Sequence, residues 1–309
     1  MKNDKQKKLL FTAIYLNTVN RPPTTFELWR FLVDITGEKT GCSFDEVLKA
    51  VEELAEKGKI KNVKGFWVFP GREKKAEDRI AMHKRSVEKL KRAGKWIKWF
   101  YVLPYFRGVV YTGALAFCNC RRDSDWDILA VMKKDRIWIG RFFLTGFLMM
   151  LGKKRSEKAV KNKFCLNHFL TENNLVFSDM NEYSAMGISS MGPLAGKKYF
   201  DRMQQLNFTW MRFYAPNFSK DAIGNGCFVR ESKALKKAGR LLEDILEFLK
   251  LGDYLNKKMK EIMIGKIEKN PKTYWKNAFI AYNDGELAFW PKPKRIEILN
   301  KIRGSFEET

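Results

Sequence analysis

The sequence predicts an α+β protein with a mixed sheet between two largely helical regions. Apolar residues recur at helical spacing towards both ends of the chain, over residues 5–57, 200–213 and 232–267. Short apolar strand patterns separated by turn residues occupy the middle, over residues 108–111, 124–131 and 163–170. A chain of 309 residues exceeds the usual length of one domain, so we expect three parts.

Residues 1–71 have the pattern of three helices followed by a hairpin. Ser43 has Glu46 three residues later, which predicts a capping box at the start of the third helix. Two strand patterns flank Lys64-Gly65 and predict a β-wing. This order of elements resembles the winged helix-turn-helix family, whose third helix usually enters the major groove. The third helix is acidic here, so protein docking or a structural role is as well supported as nucleic-acid binding.

The rest of the chain divides by charge and periodicity. Residues 72–100 are strongly basic with helical spacing, which predicts a connecting helix. Residues 101–199 contain the central strand patterns and are predicted to form the core. Residues 200–309 are predicted to form a helical C-terminal region, in which Asn283-Asp284-Gly285 between two apolar runs indicates a hairpin.

The net charge favours acidic partners. Lys and Arg number 59 against 35 Asp and Glu, which gives +24 and a field that attracts polyanions. Nucleotides are therefore expected partners, and RNA or DNA is a further candidate. Basic clusters around Arg136 and Arg155 could hold phosphates. Solvated helix ends and a surface that only keeps the protein soluble are the alternatives.

Cysteine spacing and hydropathy argue against a zinc site, a disulfide framework and a membrane-spanning helix. The five cysteines have no zinc-ligand spacing and indicate no disulfide framework, so reduced thiols in a cytoplasmic protein are expected: Cys42, Cys118, Cys120, Cys165 and Cys227. The most apolar stretch, residues 142–151, is about half the length that a bilayer-spanning helix needs. We therefore expect no membrane segment and no membrane partner.

One segment, residues 111–131, has the pattern with the most chemical content. An apolar strand ends at Thr112-Gly113-Ala114, where glycine lets the backbone approach a ligand closely and a phosphate cradle can form. After ten further residues, Asp125-Trp126-Asp127 opens a buried strand, and period two places both carboxylates on one face. Facing carboxylates repel each other unless a cation lies between them, and their hard oxygens suit Mg²⁺ or Mn²⁺.

Together these residues resemble the DNA polymerase beta-like nucleotidyltransferase superfamily, whose pattern is Gly, then Gly or Ser, a short spacer, and Asp-x-Asp or Asp-x-Glu. The resemblance implies a mixed-sheet nucleotidyltransferase core over residues 101–199, with a metal ion held by Asp125 and Asp127. It implies that Thr112-Gly113-Ala114 binds a nucleoside triphosphate and that Ser124 adds a hydroxyl near the phosphates. Ala114 departs from the pattern, which removes a hydroxyl donor but keeps the backbone N–H.

The resemblance also implies the reaction. A nucleoside monophosphate would move from a nucleoside triphosphate, ATP being the favoured donor, to an acceptor in the presence of Mg²⁺ or Mn²⁺. The acceptor stays open between RNA, a protein hydroxyl and a small molecule. The rival interpretation is a catalytically impaired protein of this fold that binds nucleic acid or regulates another process.

A third carboxylate, which the family places on a later strand, is missing from the predicted strand over residues 163–170. Asn167 is the central polar residue of that strand and is predicted to be the third catalytic residue, acting as a neutral ligand. Asparagine has no charge and cannot accept a proton, so the general base must be another group. Glu172, Asp179 and His168 are candidates, although a histidine near an apolar strand is more often structural.

Overall fold

The computed structural model describes residues 2–35, 37–219 and 229–307. The protein has the predicted α+β fold, with a mixed six-stranded sheet and a separate two-stranded antiparallel sheet. The strands are β1 (Lys61–Val63), β2 (Phe66–Val68), β3 (Phe106–Tyr111), β4 (Trp126–Met132), β5 (Phe164–Thr171), β6 (Gly192–Ala195), β7 (Phe279–Tyr282) and β8 (Glu286–Trp290). The α-helices are α1 (Lys2–Thr18), α2 (Thr25–Arg30), α3 (Phe44–Glu56), α4 (Lys74–Ile97), α5 (Gly113–Ala116), α6 (Ile137–Met150), α7 (Glu182–Ser190), α8 (Lys197–Tyr214), α9 (Lys233–Phe248), α10 (Leu251–Glu268) and α11 (Lys294–Glu307).

The first three helices and the β1–β2 hairpin share a hydrophobic core. Helices α2 and α3 begin at capping boxes, because the side chains of Thr24 and Ser43 accept hydrogen bonds from the backbone N–H groups of Glu27 and Glu46. The strands β1 and β2 are antiparallel around the turn at Gly65. The core that these elements enclose includes Leu9, Leu28, Leu32, Val47, Val51, Leu54 and Trp67.

The strand order of the larger sheet is β6-β3-β4-β5-β8-β7. Strands β4 and β5 are parallel and are joined through α6, whereas the other neighbouring pairs are antiparallel. The β7–β8 hairpin, which the sequence pattern places in the helical C-terminal region, extends this sheet, because β8 pairs with β5. The central sheet therefore draws strands from both the predicted core and the predicted C-terminal region.

Helices cover both faces of this sheet. Residues of α4, α6 and α10 pack on one face around Trp126 and Ile128. Residues of α7 and α8 pack on the other face around Leu129 and Val131. Because successive residues of β4 alternate between the two cores, Asp127 faces the side covered by α7 and α8.

The sequence predicts reduced cysteines and no membrane-spanning helix. Cys42, Cys118, Cys120 and Cys165 are free thiols, and Cys227 lies outside the described residues. Within residues 2–35, 37–219 and 229–307, no helix combines the length and the apolar character needed to cross a bilayer.

Candidate metal centre

The two aspartates lie at the start of β4, on either side of Trp126, which is the first residue of the strand. Asp125 comes immediately before the strand and Asp127 is its second residue, and both are partly buried. Trp126 between them is buried on the opposite face, with its ring 4.8 Å from that of Phe164 in an edge-on arrangement. Fixing Trp126 in the core directs the flanking carboxylates away from it, to one side of the strand.

A third candidate ligand, Cys165, lies on the neighbouring strand. The parallel register of β4 and β5 pairs Asp127 with Cys165. Ligand atoms of Asp125, Asp127 and Cys165 all lie within 4.8 Å of one another, and we call these three residues the ligand cluster. Burial raises the pKa of the Cys165 thiol, and the negative charge of Asp127 raises it further, so the thiol is protonated at neutral pH.

Sequence reasoning missed Cys165 because the five cysteines have no zinc-ligand spacing and were expected to be reduced thiols without a ligand role. The sequence does not show that β4 and β5 are parallel neighbours that both begin beside the site, which is what brings Cys165 to Asp127. Asn167 lies two residues further along β5, at a register shift: Asp127 pairs with Cys165, but Leu129 pairs with His168. One extra residue in β5 interrupts the alternation of faces, so period two does not determine the direction of the Asn167 side chain. The assignment of Asn167 as a ligand stays a prediction.

A cationic side chain already contacts the ligand cluster. Arg155 Nη1 lies 3.0 Å from Asp125 Oδ2 and donates a hydrogen bond to Cys165 Sγ at 3.1 Å. Its contact with Asp125 is an ion pair and not a hydrogen bond. Asp125 Oδ2 is buried and has no hydrogen-bond partner. The Arg155 side chain is 42% exposed, so it can swing into solvent and leave Asp125 to another cation.

The glycine turn lies directly against one carboxylate of the cluster. The backbone N–H of Thr112 donates to the carbonyl oxygen of Asp127 at 3.0 Å, which ends the β3–β4 pairing at this point. Gly113 follows with φ +55°, and a Cβ added to it would lie 2.4 Å from Asp127 Oδ2. Glycine is therefore required both by the backbone conformation and by the closeness of the carboxylate. The predicted phosphate cradle and the predicted metal ligands are adjacent.

Ser124 is part of the loop that precedes β4. Its Oγ accepts a hydrogen bond from the backbone N–H of Arg121 at 2.9 Å, and its carbonyl oxygen accepts one from Lys89 Nζ at 2.7 Å. These contacts hold the loop that carries Asp125. The hydroxyl proton of Ser124 is not used in the Arg121 contact. The predicted role of Ser124 at a phosphate stays a prediction. The predicted role of Ala114 in phosphate binding also stays a prediction.

The three candidate general bases have contacts of their own. His168 is buried with Nε2 2.9 Å from Glu286 Oε1, in keeping with a structural role. Glu172 forms an ion pair with Arg107 and accepts a hydrogen bond from Tyr199. Asp179 forms an ion pair with Arg295 at 2.6 Å. A base must reach the reacting hydroxyl, and each of these groups would first have to leave a partner.

The three ligand atoms could hold a cation. Two carboxylates and a thiol converge at the starts of two parallel strands, and the exposed Gly113 turn lies against one of the carboxylates. No family model, curated protein or solved structure matches the chain.

Proposed function

We propose that the protein is a metal-dependent nucleotidyltransferase that moves a nucleoside monophosphate from a nucleoside triphosphate, preferably ATP, to an acceptor. One observation carries the proposal: the carboxylates of Asp125 and Asp127 and the thiol of Cys165 converge within 4.8 Å, next to the Gly113 turn. Two carboxylates this close in a partly buried site repel each other, which favours a cation between them. Phosphate binding beside such a cation is the arrangement that phosphoryl chemistry needs.

The donor set fits a divalent ion, Mg²⁺ or Mn²⁺. Asp125 and Asp127 supply hard oxygens, and a cation at Asp125 Oδ2 would replace only the ion pair with Arg155, because that oxygen has no hydrogen-bond partner. The thiol of Cys165 is a softer donor, so we expect Mn²⁺ to bind more tightly than Mg²⁺. When bound, such an ion would orient the triphosphate and stabilise charge on the leaving pyrophosphate. Because Cys165 must stay reduced, we place the protein in the cytoplasm.

The chain's own residues have separate tasks in this proposal. The backbone of Gly113 and Ala114 binds the phosphates, and Arg155, once released from Asp125, is free to pair with a phosphate oxygen. The acceptor oxygen forms a bond to the α-phosphorus, the bond to pyrophosphate breaks, and the acceptor proton passes to solvent. RNA or DNA is the favoured acceptor class because of the +24 charge, with a protein hydroxyl and a small molecule as the other two.

A second candidate function is supported by one specific observation. Cys165 occupies the strand position paired with Asp127, where a third carboxylate would complete the site, and Arg155 already neutralises Asp125. A protein of this kind would bind nucleotide or nucleic acid and regulate another process, without catalysing transfer. Binding without transfer separates this function from the first.

The test is a transfer assay with α-³²P-labelled nucleoside triphosphates. The protein is incubated with each of the four nucleotides, with Mg²⁺ or Mn²⁺, and with or without total RNA. We expect metal-dependent transfer of label, with ATP and Mn²⁺ giving the highest rate. Metal-dependent binding of nucleotide with no transfer would select the regulatory function, and the absence of both binding and transfer would reject the two proposals together.

The third ligand position is tested by two matched substitutions. Cys165→Asp places a third carboxylate beside Asp127, so we expect Mg²⁺ affinity to rise by about tenfold, because ligand charge increases the affinity for a hard cation. Asn167→Asp adds the same group two residues further along β5. Titration calorimetry with Mg²⁺ and the metal-dependent rise in Tm measure both.

The two outcomes are distinguishable. A gain for Cys165→Asp and not for Asn167→Asp places the third ligand at the residue paired with Asp127. The reverse result places it at Asn167. If neither variant gains Mg²⁺ affinity while both stay folded, the ligand cluster is not a metal site.

A further inference from the structure

Helix α9 packs against the protein through its charged side. Glu243 is buried and accepts hydrogen bonds from Arg107, with a second ion pair to Lys133 at 2.8 Å. One turn later, Glu247 accepts two hydrogen bonds from Arg136, at 2.9 and 2.8 Å. These contacts attach α9 to the ends of β3 and β4 and to the start of α6.

A glycine on the same side fixes the distance of α9 from its support. A Cβ added to Gly239 would lie 2.2 Å from the carbonyl oxygen of Tyr101, so the helix backbone lies directly on the segment that precedes β3. Gly239 and Glu243 are four residues apart and lie on one face of the helix. Rotating α9 to bury its apolar side would separate this contact and leave the carboxylates and arginines unpaired, which is costly.

The apolar side of α9 therefore points into solvent. The large apolar side chains of α9 and of its C-cap residue are between 45% and 87% exposed: Leu241, Leu242, Ile245, Phe248 and Leu249. Together they expose on the order of 600 Å², which equals the largest apolar patches on typical monomers. Along the centre of this face, apolar residues recur at intervals of four, three, four and three residues: Ala234, Ala238, Leu241, Ile245 and Phe248. This is the spacing of a helix that packs along another helix.

We propose that this face of α9 binds the same face of a second copy of the chain, with the two helices antiparallel. Pairing two copies of the patch would bury roughly 1,200 Å², the lower limit of specific, stable interfaces. A two-fold axis requires a self-complementary surface, and a stripe of alternating small and large apolar residues can pack against itself.

The charges beside the stripe favour the antiparallel orientation. Lys237 and Asp244 are both exposed, lie one heptad apart on the same edge, and have no ion-pair partner among the described residues. In an antiparallel pair, Lys237 of one copy faces Asp244 of the other, and the contact occurs twice. A parallel pair would instead place lysine against lysine and aspartate against aspartate, which is unfavourable.

The first experiment measures the mass of the full-length protein by sedimentation equilibrium. We expect a dimer with a Kd of about 10 µM or lower. Ile245→Lys should be monomeric at the same concentrations, because it places a charge in the middle of the stripe. Ile80→Lys, on an isoleucine of α4 with similar exposure, is the matched control and should dimerise like the wild type. A monomeric wild type at about 100 µM, or a dimeric Ile245→Lys, would overturn the proposal.

A charge exchange tests the orientation. Lys237→Asp and Asp244→Lys should each weaken dimerisation by about tenfold, because each creates two like-charge contacts. The double variant should restore the wild-type Kd. Equal weakening in the single and double variants would reject the antiparallel pairing. Binding of the monomer to anionic vesicles through the same residues, without a dimer, would assign the face to a membrane surface and also reject it.

Discussion

Asp127→Asn is expected to reduce metal-dependent nucleotide transfer by about three orders of magnitude. The substitution keeps the shape of the side chain and removes the charge that faces the Gly113 turn and Cys165. Loss of one ionised ligand costs several kcal/mol of transition-state stabilisation, and about 4 kcal/mol corresponds to about 10³ in rate. The measurement is the initial rate of label transfer at saturating nucleotide and Mn²⁺.

The same substitution in the preceding loop is the matched control. Asp123 is exposed and lies four residues before Asp127, so Asp123→Asn should leave the rate unchanged. The backbone hydrogen bond from Thr112 to Asp127 does not involve the side chain, and the variant should therefore keep its fold. A folded Asp127→Asn protein that keeps its transfer rate would contradict the proposed metal site and with it the proposed mechanism.

Glu243→Gln is expected to lower the free energy of unfolding by about 3 kcal/mol. Glu243 is the buried member of the network that attaches α9, and breaking a buried pair by removing one partner leaves uncompensated cations. Urea unfolding at pH 7 and fixed protein concentration measures the change. The control is Glu261→Gln on α10, which breaks an exposed pair with Lys258 and should cost under about 1 kcal/mol.

The pH dependence of this effect has a definite sign. Burial by itself raises the pKa of Glu243, but hydrogen bonds and charges from Arg107 and Lys133 outweigh it and lower the pKa from 4.5 to about 2. A carboxyl group with a lowered folded-state pKa contributes stability above its unfolded pKa and loses it as pH falls. The difference between wild type and Glu243→Gln should therefore be complete above about pH 5 and vanish near pH 2. A difference that does not change over this range would contradict the assignment.

The sequence by itself determined the local elements. Helix α3 begins at the Ser43 capping box, and β4 alternates between two cores with both aspartates on one side of Trp126. These features depend on contacts within a few residues, whose geometry follows from the period of a helix or a strand. The mixed sheet and the α+β fold class follow from the same patterns.

Only the tertiary structure decided which distant residues meet. Cys165 joins the aspartates because β4 and β5 are parallel in one register, and the shift at Asn167 cannot be read from either strand alone. Arg155 reaches Asp125 from a separate loop, and β8 pairs with β5 although His168 and Ala288 are 120 residues apart along the chain. Helix α9 has the amphipathic pattern of a core helix, yet buried ion pairs at Glu243 turn its apolar side outward. Periodicity shows that two faces differ, but the direction in which each face points depends on long-range contacts that a local pattern does not contain.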